Sequence, residues 1–150
     1  MHPLLTELSE RLVRFGTPHD ATDQRVTVPA KDPDGFDVDL TITGSEAVVT
    51  LGGGWHESFS LPEESEPAQQ LFMLALTEAA RLKVTRRGGV EHLWTLETRV
   101  EGVWGHAGTT GMIFVPFWKR KHQDYRRNAH IDVAALAPWI PERFGDAGTA

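Results

Sequence analysis

The stretch Leu51-Gly52-Gly53-Gly54-Trp55-His56-Glu57-Ser58-Phe59-Ser60-Leu61 decides how the chain is read, because alternating strands run into it and the longest helical stripe follows it. Three successive glycines let a backbone take positive φ or approach another surface closely. A large aromatic and an ionisable pair come directly after them. Read this way, the stretch is a crossing from strand to helix with a candidate site at its exit.

Working back from it, Ala47, Val49 and Leu51 alternate as a strand, and Gly44-Ser45 turns the chain before them. Phe36, Val38, Leu40 and Ile42 alternate with Asp37, Asp39, Thr41 and Thr43, which predicts one apolar face and one wet face. Asp32-Pro33-Asp34-Gly35 is a turn by its chemistry. Before it, Val26, Val28 and Ala30 share a face, and Pro29, which cannot donate to a ladder, places that strand at an edge. Connections this short cannot make a parallel crossover, so the three strands form an antiparallel meander. Leu4, Leu8, Leu12 and Phe15 lie on one stripe of a helix that Gly16 and Pro18 stop, and residues 17–23 form a polar loop.

Working forward, Ser60 with Glu63, or Ser65 with Glu66-Pro67, caps a second helix. Its buried face is Leu71, Leu74, Ala75, Ala79 and Leu82, widened by Phe72 and Leu76. Residues 81–86 change to a strand period, Gly88-Gly89 turns, and residues 90–100 alternate as a long outer strand. Residues 102–111 are glycine-rich and read as a loop. Residues 112–118 are apolar on both faces, a strand that needs cover on both sides. Residues 119–127 continue that strand or form a loop, residues 131–137 form a short helix ended by Pro138, and residues 145–150 fray. The prediction is a single α+β domain over residues 1–150. Its mainly antiparallel sheet has about six strands in the order α-β-β-β-α-β-β-β, with the helices on one face and a short C-terminal helix.

A chain of 150 residues buries roughly two thirds of its unfolded surface without staples. Cysteine is absent, which excludes disulfides, thiolate metal sites and thiol catalysis. The N-terminal residues lack a basic region with a long apolar core, and no apolar run reaches membrane-spanning length, so a soluble cytoplasmic protein is expected. A net charge of -6 argues against a general nucleic-acid binder.

Catalytic signals are incomplete. His56-Glu57 begins like a zinc-protease helix motif, but Ser60 stands where the second histidine belongs. The pair could still act as an acid–base unit. The glycine loop lacks the lysine and spacing of a phosphate cradle. Asp32, Asp34, Asp37 and Asp39 do not follow a calcium loop, and His92, His106, His122 and His130 show no paired ligand spacing. None of Ser9, Ser45, Ser58, Ser60 and Ser65 sits in a nucleophile elbow. No metal and no cofactor is expected.

Binding signals are stronger. If Trp55, Trp94 and Trp104 converge with His56 and His92 where the glycine stretches meet the sheet, they line a small-ligand pocket. Residues 119–127 carry a net charge of +4, which leaves -10 for the rest of the chain. Within and beside them, Trp118, Lys119, Arg120, Lys121, Tyr125, Arg126 and Arg127 make a candidate interaction face. Interleaved basic and aromatic groups also suit nucleic-acid contact. The two apolar faces of residues 112–118 call for cover from the tail, through Ile131, Val133, Leu136, Trp139 and Ile140, or from a second copy, and a homodimer with the tail contributing is the favoured expectation. The sequence therefore points first to a non-catalytic domain that binds a small molecule or a protein. A small hydrolase or isomerase using His56 and Glu57 is the alternative, and nucleic-acid contact through residues 119–127 is the second.

Overall fold

The alternation around residue 40 builds a five-stranded antiparallel sheet. The computed structural model describes residues 1–111 and 118–136. Strands β1 (Asp20–Ala21), β2 (Arg25–Val28), β3 (Val38–Thr43), β4 (Glu46–Leu51) and β5 (Trp55–Ser60) lie side by side in chain order. Val26, Leu40 and Val49 are cross-strand neighbours on the apolar face. Helix α1 (Pro3–Arg14) packs against β2, and α2 (Ser65–Leu74) against β3, β4 and β5. The α1 stripe buries Leu4, Leu5, Leu8 and Leu12; Phe15, expected on it, sits at the C-cap and is exposed. The His2 ring accepts a hydrogen bond from the Leu4 amide and caps α1, with Pro3 in the first turn where no N–H is needed.

On the opposite face, Asp39 is 6% exposed although it alternates with apolar residues. It accepts hydrogen bonds from Arg25 Nε (2.9 Å), Arg25 Nη2 (2.6 Å) and Thr27 Oγ1 (2.6 Å). The expected wet face is here closed over an ion pair, whose hydrogen bonds offset the desolvation of the carboxylate.

A second antiparallel sheet follows α2, with strand order β8-β7-β6-β9. Its strands are β6 (Ala80–Arg87), β7 (Val90–Val100), β8 (Val103–Gly111) and β9 (Lys121–Arg126), and a 3-10 turn at Val133–Leu136 comes last. The α+β class and the antiparallel pairing hold, but the single six-stranded sheet does not. The difference arises at several places, among them the short strand β1 within the expected loop at residues 17–23.

The glycine stretch does not lead into a helix. It is the turn of a β4–β5 hairpin, with Leu51 opposite Trp55 and with Gly52 and Gly53 at φ of 63° and 75°. Most of residues 102–111, expected as a loop, form β8, which pairs with β7 from Leu93 to Val100. The second helix is also shorter than its apolar period suggests. Thr77 Oγ1 donates to the Leu74 carbonyl at 2.8 Å and accepts from the Ala79 amide at 3.2 Å, and the chain leaves the helix there. Ala79 and Leu82, three apart, suit a helical face, yet Ala80, Leu82 and Val84 are buried as the inner face of β6.

The sheets meet where side chains are missing. A Cβ on Gly54 would lie 2.1 Å from the Trp94 ring, and one on Gly108 would lie 3.3 Å from Trp55. Each indole thus lies flush against the backbone of the other sheet, and the inner face of the second sheet joins one continuous core with the helices and the first sheet. No helix among the described residues is long and apolar enough to cross a membrane.

Candidate functional site

Because Ala80, Leu82 and Val84 point into the core, Arg81, Lys83 and Thr85 point to the other face of the second sheet. The register sets Arg81 opposite Glu97, Arg99 opposite Trp104, and Lys83 opposite Tyr125. Four strands therefore deliver charged and aromatic groups to one patch. Arg81 Nε donates to Glu97 Oε1 at 2.7 Å. The Arg81 guanidinium carbon lies 4.1 Å from the centre of the Trp104 ring and 4.3 Å from that of Tyr125. Arg99 and Arg127 approach the same indole at 5.4 and 5.7 Å.

Each such contact is worth about 0.5 to 2 kcal/mol, depending on desolvation. The cations also repel one another. These distances put Arg81 closer than about 10 Å, one Debye length at 0.1 M salt, to each of the other two guanidiniums. Among the described residues only Arg81 of the three has a carboxylate ion pair, Glu97. Two hollows adjoin the cluster. One, of about 250 Å³, is lined by Asp34, Arg81, Tyr125 and Arg127. The other, of about 300 Å³, is lined by Glu78, Arg99, Ala129, Ile131, Asp132 and Val133.

The segment after β9 is placed by backbone and side-chain hydrogen bonds. The Arg127 amide donates to the Asp34 carbonyl at 2.8 Å, and the His130 amide donates to Leu76 at 3.0 Å. Between them Asn128, 2% exposed, donates to the carbonyls of Phe36 and Ala75 and accepts from the Phe36 amide. Half the lining of the two hollows hangs on these anchors. Burial lowers the pKa of the His130 ring, Lys31 lowers it further, and Asp32 partly opposes them.

The residues expected to form one aromatic pocket are divided among three places. Trp55 is 2% exposed and lies between the sheets, where Trp94 packs against the same core. Trp104 is on the far side of the second sheet, so it does not join them. His92 is the extra residue at the irregularity between β6 and β7, where Thr85 pairs with Leu93 and Arg86 with Glu91.

His56 and Glu57 are consecutive in β5, which sends their side chains to opposite faces. Glu57 shares the helix-facing side with Trp55 and Phe59, opposite Val49. His56 faces the other way, its amide donating to Thr110 Oγ1 at 3.4 Å. The strand thus separates the acid–base pair that adjacency suggested.

Partial burial raises the Glu57 carboxyl pKa, and the nearby Glu64 charge adds to the rise. A carboxyl whose pKa is higher in the folded state opposes folding above that pKa, and this effect disappears below its unfolded value of about 4.5. Glu57→Gln is therefore expected to raise the melting temperature slightly at pH 7 and to leave it unchanged near pH 4. Paired thermal melts at the two pH values check the sign.

The basic segment is β9, and strand alternation splits its residues between faces. Tyr125 and Arg127 reach the cluster around Trp104. On the other side, Asp124 pairs with Arg86, and Arg126 pairs with Glu91 at 3.1 Å. Lys119 packs over Gly88, Arg120 and Lys121 are exposed, and Trp118 is 74% exposed. The strand expected at residues 112–118 lies, apart from Trp118, outside the described residues, as do Trp139 and Ile140.

The sequence reading gave no role at this site to Arg81, Glu97, Arg99 and Asp34, the last of which it weighed for function only as a calcium ligand. The signal for three of them was present: Arg81 and Lys83 fall on one face of the predicted hairpin, and Glu97 and Arg99 fall on the same face of its partner. Comparison with protein-family models, curated proteins and solved structures finds no match for the chain.

Proposed function

We propose that the chain is a non-catalytic binding domain that holds a small anionic ligand on the outer face of its second sheet, at the cluster around Trp104. The observation that carries this reading is the gathering of Arg81, Arg99 and Arg127 within 5.7 Å of one indole. Among the described residues, one ion-paired carboxylate accompanies them. Like charges held this close favour a counter-charge, and the two adjoining hollows give it room. The separation of His56 from Glu57 gives the hydrolase or isomerase alternative no support.

A thermal-shift panel of small anions tests the reading. A ligand present at 100 times its Kd stabilises the native state by about 2.7 kcal/mol. At this chain length that is a rise of roughly 5 to 10 °C. The Arg99→Ala, Arg127→Ala double variant is expected to keep the unliganded melting temperature within a few degrees and to lose the ligand-induced rise. A panel in which no anion shifts the wild type at millimolar concentration refutes the site.

A further inference from the structure

We infer that the anchoring group of this ligand is a phosphate monoester in its dianionic form, clamped by Arg99 and Arg127 in front of a fixed Arg81; the inference rests on the reading of the outer face as an anion site. The charge balance of the cluster comes first. Glu97 neutralises Arg81 through the 2.7 Å contact, and neither Arg99 nor Arg127 has a carboxylate ion pair among the described residues. Asp34, Glu78 and Asp132 border the hollows but, among the described residues, none is ion-paired with Arg99 or Arg127, and a dianion can engage both arginines where a single carboxylate matches one.

Geometry points the same way. Arg81 is held by Glu97 at Nε and by two ring contacts, so its remaining N–H donors are set in place before a ligand arrives. Arginine forks suit phosphate oxygens because they donate parallel pairs of hydrogen bonds. Tyr125 lines the same hollow, and a phenol there can supply another donor.

The rim limits what can be attached to the phosphate. Asp34 borders one hollow, and Glu78 and Asp132 border the other. These carboxylates repel a strand of successive phosphodiesters, but they accept hydrogen bonds from hydroxyls on a compact organic body. At about 250 and 300 Å³ the hollows stand at or below the lower end of drug-sized sites. A small hydroxylated phosphate monoester fits charge, donors, rim and volume together.

The test is calorimetry on the full chain with glycerol 3-phosphate, sulfate, succinate and a short oligothymidylate as probes. A phosphate monoester loses its second charge near pH 6, whereas sulfate keeps both charges throughout. Between pH 7.5 and 5.5 the affinity for glycerol 3-phosphate is expected to fall about fourfold relative to that for sulfate. The sulfate reference cancels any titration of the charged groups that share or border this face, namely Lys83, Glu97, His106, Tyr125, Asp34, Glu78 and Asp132. Arg99→Ala and Arg127→Ala are each expected to weaken the monoester about tenfold or more, with near-ultraviolet circular dichroism unchanged.

Equal or tighter binding of succinate, with the same dependence on both arginines, overturns the phosphate assignment and leaves the anion site standing. Tighter binding of the oligothymidylate overturns it in favour of nucleic acid. Absence of binding by all four probes, or binding that ignores both arginines, overturns the inference and the proposed site together.

Discussion

Replacing Asn128 with alanine is expected to cost about 3 to 5 kcal/mol of folding stability. The side chain is 2% exposed and joins three separate parts of the chain. Its amide donates to Phe36 O at 3.0 Å, just before β3, and to Ala75 O at 3.1 Å, at the end of α2. Its oxygen accepts from the Phe36 amide at 3.1 Å. Truncation takes the side-chain partner from a donor and two acceptors, and each buried group left unsatisfied costs about 1 to 3 kcal/mol. Asn128→Asp is expected to be at least as damaging, since it keeps the acceptor for Phe36 but turns a carboxylate toward two carbonyl oxygens. Urea titrations that show a lower midpoint with an unchanged slope check the prediction. A loss below about 1 kcal/mol would show that water or a shifted backbone replaces the three bonds. The neighbours Arg127 and Ala129 line the two hollows, so both variants should also weaken any ligand bound there.

Much of the framework was legible because it repeats with a single period. The alternation from Phe36 to Ile42, the turn at Gly44-Ser45, and the hairpin around Gly88-Gly89 appear where local chemistry predicts them. Strand β5 was hidden because its buried residues, Trp55 and Phe59, are four apart and imitate the entry of a helix. Strand β8 was hidden by glycines, which are depleted in strands; Gly108 is there because Trp55 needs the space above it. Neither reason is local to the strand concerned.

The candidate site was legible by halves. Hairpin register after the Gly88-Gly89 turn places Arg81 across from Glu97, and that much follows from the sequence. Tyr125 and Arg127 arrive from β9, which pairs with β6 rather than with its predecessor β8, and no short-range signal announces that jump. Trp104 was placed beside Trp55 and Trp94 because the glycine stretches at residues 52–54 and 102–111 were both read as loops that meet the sheet. The face each indole takes depends instead on strand parity, which the loop reading of residues 102–111 could not supply. The net charge of +4 at residues 119–127 was a sound observation about composition, but strand pairing divides it between two faces.

Gly54→Val should be strongly disruptive at the junction of the sheets, at about 3 kcal/mol. The added Cβ would sit 2.1 to 2.5 Å from three atoms of the Trp94 indole, well inside contact distance. The hairpin cannot retreat cheaply, because Trp55 beside it is 2% exposed and pressed against Gly108. Gly54 is absent from the positive-φ glycines, so the cost comes from overpacking rather than from backbone strain. The indole must therefore move outward, and tryptophan emission should shift to longer wavelength. Trp94→Ala alone should also destabilise, by about 3 kcal/mol, through lost burial. In the double variant the removed ring makes room for the valine, so the combined loss should fall short of the sum by about 1 kcal/mol or more. Strict additivity would mean that Gly54 is required for a reason other than its contact with Trp94, and the account of how the two sheets are joined would fail.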